Sequence, residues 1–168
     1  MAMARGLPFD SYRFSGLQLL GRPRAGDGTC RYGYGPPVFA ECGTDCVYCG
    51  RDLGSTYEAW LDVSVDHVIP RETVKRLDWP AEWVEDIANL VTSCRACNEF
   101  LNGYRVLDEA PVTLDEFLAH RDRHFIAKRD RVLETHGRER ARYEQRRASS
   151  AATAVPQSAS STDGQLAS

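Results

Sequence analysis

Two cysteine pairs, Cys46 and Cys49 in CVYC and Cys94 and Cys97 in CRAC, repeat one spacing with 44 residues between them. Two intervening residues let both sulfurs of a knuckle reach one ion while backbone N–H groups turn towards them. Two such knuckles supply the four thiolates of a tetrahedral structural Zn²⁺. Gly50, directly after the first pair, suits the knuckle turn. The gap exceeds a common zinc-ribbon spacing, so the chain between the pairs must be an ordered insertion that returns to the metal. That insertion carries Asp66-His67 in VDHVIP, and the second knuckle runs straight into Asn98. An Asp-His pair alone is more often structural. Held beside Asn98 by zinc, it brings a carboxylate, an imidazole and an amide into one cleft. Oxygen donors of this kind suit a hard divalent cation that keeps water and phosphate as its other ligands. A neutral imidazole alongside can take a proton from water. The chemistry is that of a phosphodiesterase.

The segments CVYCG, VDHVIPRE and NLVTSCRACN together resemble the HNH endonuclease family, the ββα-metal or His-Me finger nucleases with four zinc-binding cysteines. The resemblance spans Cys46 to about Tyr104, and its positions agree in order and context. It implies that His67 is the general base, that Asp66 and Asn98 bind a catalytic Mg²⁺ or Mn²⁺, and that Asn89 is the middle asparagine that orients the His67 ring. It also implies a DNA substrate and a 5′-phosphate product. The final motif residue is an asparagine, as in the H-N-N members. Many members carry a lysine three residues further on, where this chain has Leu101 followed by Asn102 and Gly103. A phosphate contact is therefore missing or supplied from elsewhere.

The elements that must position these residues follow from the chain's patterning. YEAWLDVSVDHVIP alternates apolar and polar residues like a strand, with Trp60, Val63 and Val65 along it. In DWPAEWVEDIANL, Asp78 is placed to cap a short helix that Pro80 opens. NLVTSC reads as a second strand, and CRACNEFLNGY as a turn and helix ending at Gly103. The fold class expected is α+β, a small zinc-stabilised ββα-metal core with a loop-rich N-terminal extension and a C-terminal helix. The boundaries expected are 1–45 for the extension, 46–108 for the nuclease core, 109–147 for the helical region and 148–168 for a tail.

Residues 1–45 suggest a short hairpin at Tyr12 to Leu20 and Cys30 to Tyr34, with arginines and aromatics that pack onto the domain more readily than they contact nucleic acid. Thr113 to Glu116 is a capping box opening a helix to about Gly137, with Leu114, Phe117, Leu118, Phe125, Ile126 and Leu133 at broadly helical spacing. His120 and His124 sit four apart with no evident third ligand, so they read as a solvated helix face. Residues 115–147 hold ten Arg/Lys against seven Asp/Glu, the balance of a salt-bridged helix. The last 21 residues hold six Ser, six Ala and one charge, too little apolar surface to fold.

With 168 residues the chain has room for one ordinary domain and some excess. A net charge of -3 excludes a globally basic coat protein, so DNA must be met by local groups. The candidates are Arg71, Lys75, Arg76, Arg95 and Arg105, with Arg51 beside them. The small core offers little base readout, which leaves target choice to the flanking regions or to a protein partner. No secretion signal or membrane span is evident, so the expectation is a cytoplasmic protein whose thiols stay reduced. Cys30 and Cys42 then read as free thiols, with Cys42 the rival zinc ligand through its spacing to Cys46. Two rivals remain: a non-catalytic zinc-knuckle nucleic-acid-binding module, which could dispense with Asp66, His67 and Asn98, and a toxin-type nuclease acting on RNA.

Overall fold

The computed structural model describes residues 6–24 and 28–153. Helices α1 (Pro36–Cys42) and α2 (Tyr57–Leu61) lead into strand β1 (Val63–His67). Helices α3 (Glu72–Leu77) and α4 (Ala81–Val84) and a tight turn at Ile87–Asn89 form the excursion to strand β2 (Leu90–Cys94). Helix α5 (Arg95–Phe100) follows β2 directly, and α6 (Leu114–Thr153) closes the described chain. The two strands pair antiparallel, with Val63 opposite Cys94 and His67 opposite Leu90. The result is a mixed helix and strand fold, with a small two-stranded sheet, a long C-terminal helix and a cysteine cluster.

Every residue of β2 is buried, as its unbroken LVTSC run implies for a strand covered on both faces. Val63 and Val91 join Phe9, Tyr12, Phe125 and the zinc-knuckle residues in one core cluster, while Trp79, Phe117 and Val106 build a second. The strand-like alternation begins later than the sequence suggests. Trp60 belongs to α2, because Thr56 accepts a hydrogen bond from the Ala59 N–H at 3.1 Å and starts a helical turn ahead of the strand. Asp78 does not cap α4. It sits left-handed at φ 54° after α3, a region Asp tolerates, and the reversal sends Trp79 into the core at 1% exposure.

The N-terminal hairpin is absent from the described residues. Short helical turns occupy Pro8–Ser11, Arg13–Gly16 and Cys30–Tyr34 instead. Phe14, Ser15 and Gly16 form a left-handed run. At Gly16 a Cβ would lie 2.7 Å from that of Phe9, so only glycine fits the turn. The Tyr12 hydroxyl donates to the Leu90 carbonyl at 2.6 Å, and Asp86 accepts from the Leu20 and Gly21 N–H groups. These bonds tie the segment to the end of β2 that faces His67.

The capping box forms as read, with the Glu116 N–H donating to Thr113 Oγ1 and the Thr113 N–H donating back to Glu116 Oε2, each at 3.2 Å. Helix α6 does not stop near Gly137 but continues to Thr153. Its buried stripe up to residue 135 runs Phe117, Arg121, Phe125, Lys128, Val132, while Ile126 and Leu133 are exposed. A second unit begins at His136, and its described helical side chains from Arg138 to Ser150 are exposed. The tail assigned from residue 148 is helical to Thr153, and residues 154–168 lie outside the described residues. Among the described residues no helix is long and apolar enough to cross a membrane.

Candidate active site

The first knuckle closes through the Gly50 N–H donating to the Cys46 carbonyl at 2.7 Å, with Gly50 at φ 75°. The Val47 N–H donates to the Thr92 carbonyl and hangs this knuckle on β2. The second knuckle begins at the last residue of β2, where Cys94 Sγ accepts from the Cys97 N–H at the start of α5. The four sulfurs of Cys46, Cys49, Cys94 and Cys97 lie within 4.8 Å of one another, and all but Cys49 are buried. Hydrogen bonding with Cys46 pulls the Cys49 thiol far below the usual range and pushes Cys94 and Cys97 above it. Four crowded sulfurs that cannot share their protons evenly, with no oxygen among them, fit zinc and poorly fit a hard cation. Cys42 lies outside the cluster and accepts from the Thr92 N–H at 3.5 Å.

The sheet register places this cluster at the opposite end of β1 from His67, four residue steps or roughly 13 Å along the strand. The cysteines therefore do not crowd the imidazole; they staple α5 against the sheet. Asn98, one turn into α5, reaches back over β1, and its Nδ2 donates to Ser64 Oγ at 2.7 Å. That leaves its amide oxygen as the remaining donor atom. Asp66, His67 and Asn98 line one cleft of about 410 Å³. Asp66 is 7% exposed and takes two hydrogen bonds on Oδ2, from the Tyr48 hydroxyl at 2.6 Å and from Lys128 Nζ at 2.9 Å. Neither falls on Oδ1. Asp66 Oδ1 and the Asn98 amide oxygen are oxygens of the hard type that suits a Mg²⁺-like ion.

His67 also borders a second cavity of about 700 Å³, shared with Arg22, Arg24, Tyr34 and Glu85. Burial lowers the His67 pKa from 6.5 to about 4, and the Glu85 and Asp66 carboxylates oppose the shift without reversing it. The ring is thus neutral at physiological pH. Glu85 Oε2 stands 3.9 Å from His67 Nε2, while its other oxygen pairs with Arg71 at 2.5 Å.

Asn89 acts elsewhere than on the ring. Fully buried, it accepts from the Ile69 N–H at 2.9 Å and donates to the Ile69 and Val84 carbonyls at 3.0 and 2.8 Å. It clamps the loop two residues past His67 and so fixes the strand end rather than the imidazole. Asn89→Ala strands three buried backbone groups, at about 1–3 kcal/mol each before relaxation. A loss of about 3 kcal/mol or more in chemical denaturation is the expected result; a change below about 1 kcal/mol would remove the clamp from the account of the site.

Of the five cations expected to meet nucleic acid, Arg71 and Arg105 line the cleft with His67. Arg105 pairs with Glu72 at 2.9 Å. Lys75 is exposed away from the cleft lining, Arg76 donates to the Val106 carbonyl, and Arg95 donates to the Leu61 carbonyl at 3.3 Å.

Two groups near His67 lay outside the residue pattern. Glu85 carries no motif signal. Lys128 does, because it occupies a core position of the α6 stripe between Phe125 and Val132, where a charge needs a partner. His120 and His124 are not a solvated face either: their side chains are 17% and 13% exposed. Asp108, from the loop before α6, is the third group that spacing along one helix does not reveal. The Tyr104 hydroxyl meets His124 Nδ1 at 2.6 Å, Asp108 meets the other ring nitrogen, and Arg123 donates to His120 Nδ1 at 2.7 Å. The pair is held in an internal hydrogen-bond chain.

A two-stranded sheet running into a helix, closed by four cysteines and ending one strand in Asp-His, defines a nuclease-type core. Residues 46–101 match the model of the HNH endonuclease family, so this third of the chain is an HNH domain. Neither the curated proteins nor the solved structures gave a match to the chain.

Proposed function

We propose that the chain is a metal-dependent HNH endonuclease that hydrolyses DNA phosphodiester bonds. The observation that carries this reading is the convergence of Asp66, His67 and Asn98 on one cleft within the HNH segment. His67 is the general base. Burial holds its ring neutral, so the imidazole is free to accept a proton from the attacking water. Asp66 and Asn98 would hold a divalent cation, Mg²⁺ or Mn²⁺, which would supply charge stabilisation for the phosphate and the departing oxygen. Zn²⁺ on Cys46, Cys49, Cys94 and Cys97 keeps Asn98 over β1 and takes no part in the reaction. Asn89 holds the loop behind the base, and Arg71 and Arg105 supply positive charge at the cleft for the strand.

One observation favours a non-catalytic zinc-knuckle binding module instead: Asp66 already carries two donors, one of them its counter-ion Lys128. Purified protein incubated with supercoiled and linear DNA, and with RNA, in the presence and absence of Mg²⁺ or Mn²⁺ separates the readings. Metal-dependent DNA cleavage that disappears in His67→Ala supports the nuclease. Binding without cleavage in either metal supports the module, and cleavage of RNA alone would replace the substrate.

A further inference from the structure

We infer that the nuclease centre is completed from outside the HNH segment, by Lys128 of α6 acting as a positioning residue on Asp66 and His67 together. This rests on the nuclease reading above. Lys128 Nζ lies 2.9 Å from Asp66 Oδ2 and 2.6 Å from the His67 carbonyl, and its side chain is 2% exposed. A buried ammonium survives only where oxygens are already in place to receive it. Here it grips two consecutive residues, one proposed to hold the cation and the other to be the base. The Tyr104 ring covers it at 5.4 Å.

The consequence for Asp66 is geometric. Tyr48 and Lys128 both bond Oδ2, so the carboxylate cannot turn without breaking two hydrogen bonds, and Oδ1 is the oxygen left for the cleft. Tyr48 lies within residues 46–101, whereas Lys128 lies 27 positions beyond them. The matched segment alone would hold Asp66 by one donor and leave its buried charge without a counter-ion. There is also an electrostatic consequence. The ammonium offsets part of the Asp66 charge, so the carboxylate offers an incoming cation less attraction than it would alone. Lys128 thus trades cation affinity for a fixed donor. It borders the same cleft, but with 2% of its side chain exposed it offers the substrate strand almost no surface.

The test uses the full-length, zinc-loaded protein and Lys128→Met. Plasmid cleavage in Mn²⁺ gives kcat and KM, and electron paramagnetic resonance gives Mn²⁺ affinity in the His67→Ala background, where turnover does not interfere. The expected result is a kcat lower by about 10–100-fold, the usual scale for a group that orients a metal ligand. KM for DNA stays within about twofold, since no strand contact is lost. Mn²⁺ binds about threefold tighter or more, because the carboxylate has lost its neighbouring cation. Wild-type kcat overturns the inference. So does a loss confined to KM, which would make Lys128 a DNA contact, or a lower kcat with unchanged or weaker Mn²⁺ binding, which would make it a structural lysine only. If Lys128→Met fails to retain zinc and a cooperative melt, Lys128→Gln, too short to bond both Asp66 and the His67 carbonyl, carries the test. A lower kcat at constant KM then sustains the inference, and wild-type kcat ends it. Wild-type protein that cleaves in neither metal sinks the nuclease reading itself, and the Mn²⁺ comparison still judges Lys128.

Discussion

His67→Ala is expected to retain zinc, fold and DNA binding and to lose cleavage by about 10²-fold or more, the scale at which a general base contributes. The side chain ends β1 and borders two cavities, so removing it opens space without stranding a buried backbone group. Its pH behaviour gives an independent signature. Burial holds the ring's pKa near 4, below its ordinary 6.5, so the base remains unprotonated well into mild acid. Activity should therefore not fall through the pH 6–7 range expected of an exposed histidine, and its acid limb should lie near pH 4 to 5 wherever zinc is still bound. The same shift bears on stability. A folded pKa below the unfolded one gives support that is complete above about 6.5 and drains away as the pH falls towards about 4, because the unfolded chain takes the proton first. Wild-type stability should decline across that window more steeply than that of His67→Ala. Cleavage by the variant at the wild-type rate, in a preparation free of contaminating nuclease, would remove His67 from the mechanism.

The parts of the site legible in the sequence are those whose chemistry is local. Two C-x-x-C pairs and a shared register are enough to bring α5 back to the sheet, and Asn98 follows because it lies one turn beyond Cys94. Thr113 and Glu116 announce the start of α6 for the same reason: both partners of the cap lie within four residues. Where the reading failed, longer-range packing had decided. Short apolar alternation could not place Trp60, because a pattern of so few residues does not separate a five-residue helix from a strand. Asn89 carried the expected residue type, but its partners are the backbone of Ile69 and Val84, which no spacing specifies. Glu85 reaches His67 only after the excursion has folded. Lys128 was counted among the ten Arg/Lys of a salt-bridged helix, yet Phe117, Phe125 and Val132 put its position on the buried stripe. A charge at such a position is the sequence signature of a buried partner, here Asp66. At the position where a phosphate contact was expected to be missing or supplied from elsewhere, Leu101 is largely buried and gives the cleft an apolar wall.

Cys97→Ser is expected to lose zinc and with it the folded core. The register explains why the effect should exceed that of any single catalytic change. With two strands of five residues each, the sheet has too few pairings to stand without its helix, and α5 is joined to it through Cys94, Cys97 and the Asn98–Ser64 bond. In small zinc domains the binding energy of the ion is folding energy, about 10–16 kcal/mol in zinc-finger peptides near neutral pH. A serine cannot replace one buried thiolate of four, and the remaining sulfurs would be left crowded around a weakened site. Elemental analysis should find one zinc per wild-type chain and far less than one in Cys97→Ser, with loss of the cooperative melt. Cys42→Ser is the matched control, because that thiol lies outside the cluster, where its partners are the Thr92 N–H at 3.5 Å and the Tyr12 hydroxyl; it should keep its zinc and most of its stability. Chelators sort the two metal classes. Brief exposure to EDTA should abolish cleavage while zinc and fold persist, because oxygen donors open to water release their ion first. Prolonged chelation should then unfold the chain. A folded, monodisperse wild type without zinc would overturn the structural role of the four cysteines, and with it the reason that Asn98 lies across the sheet from Ser64.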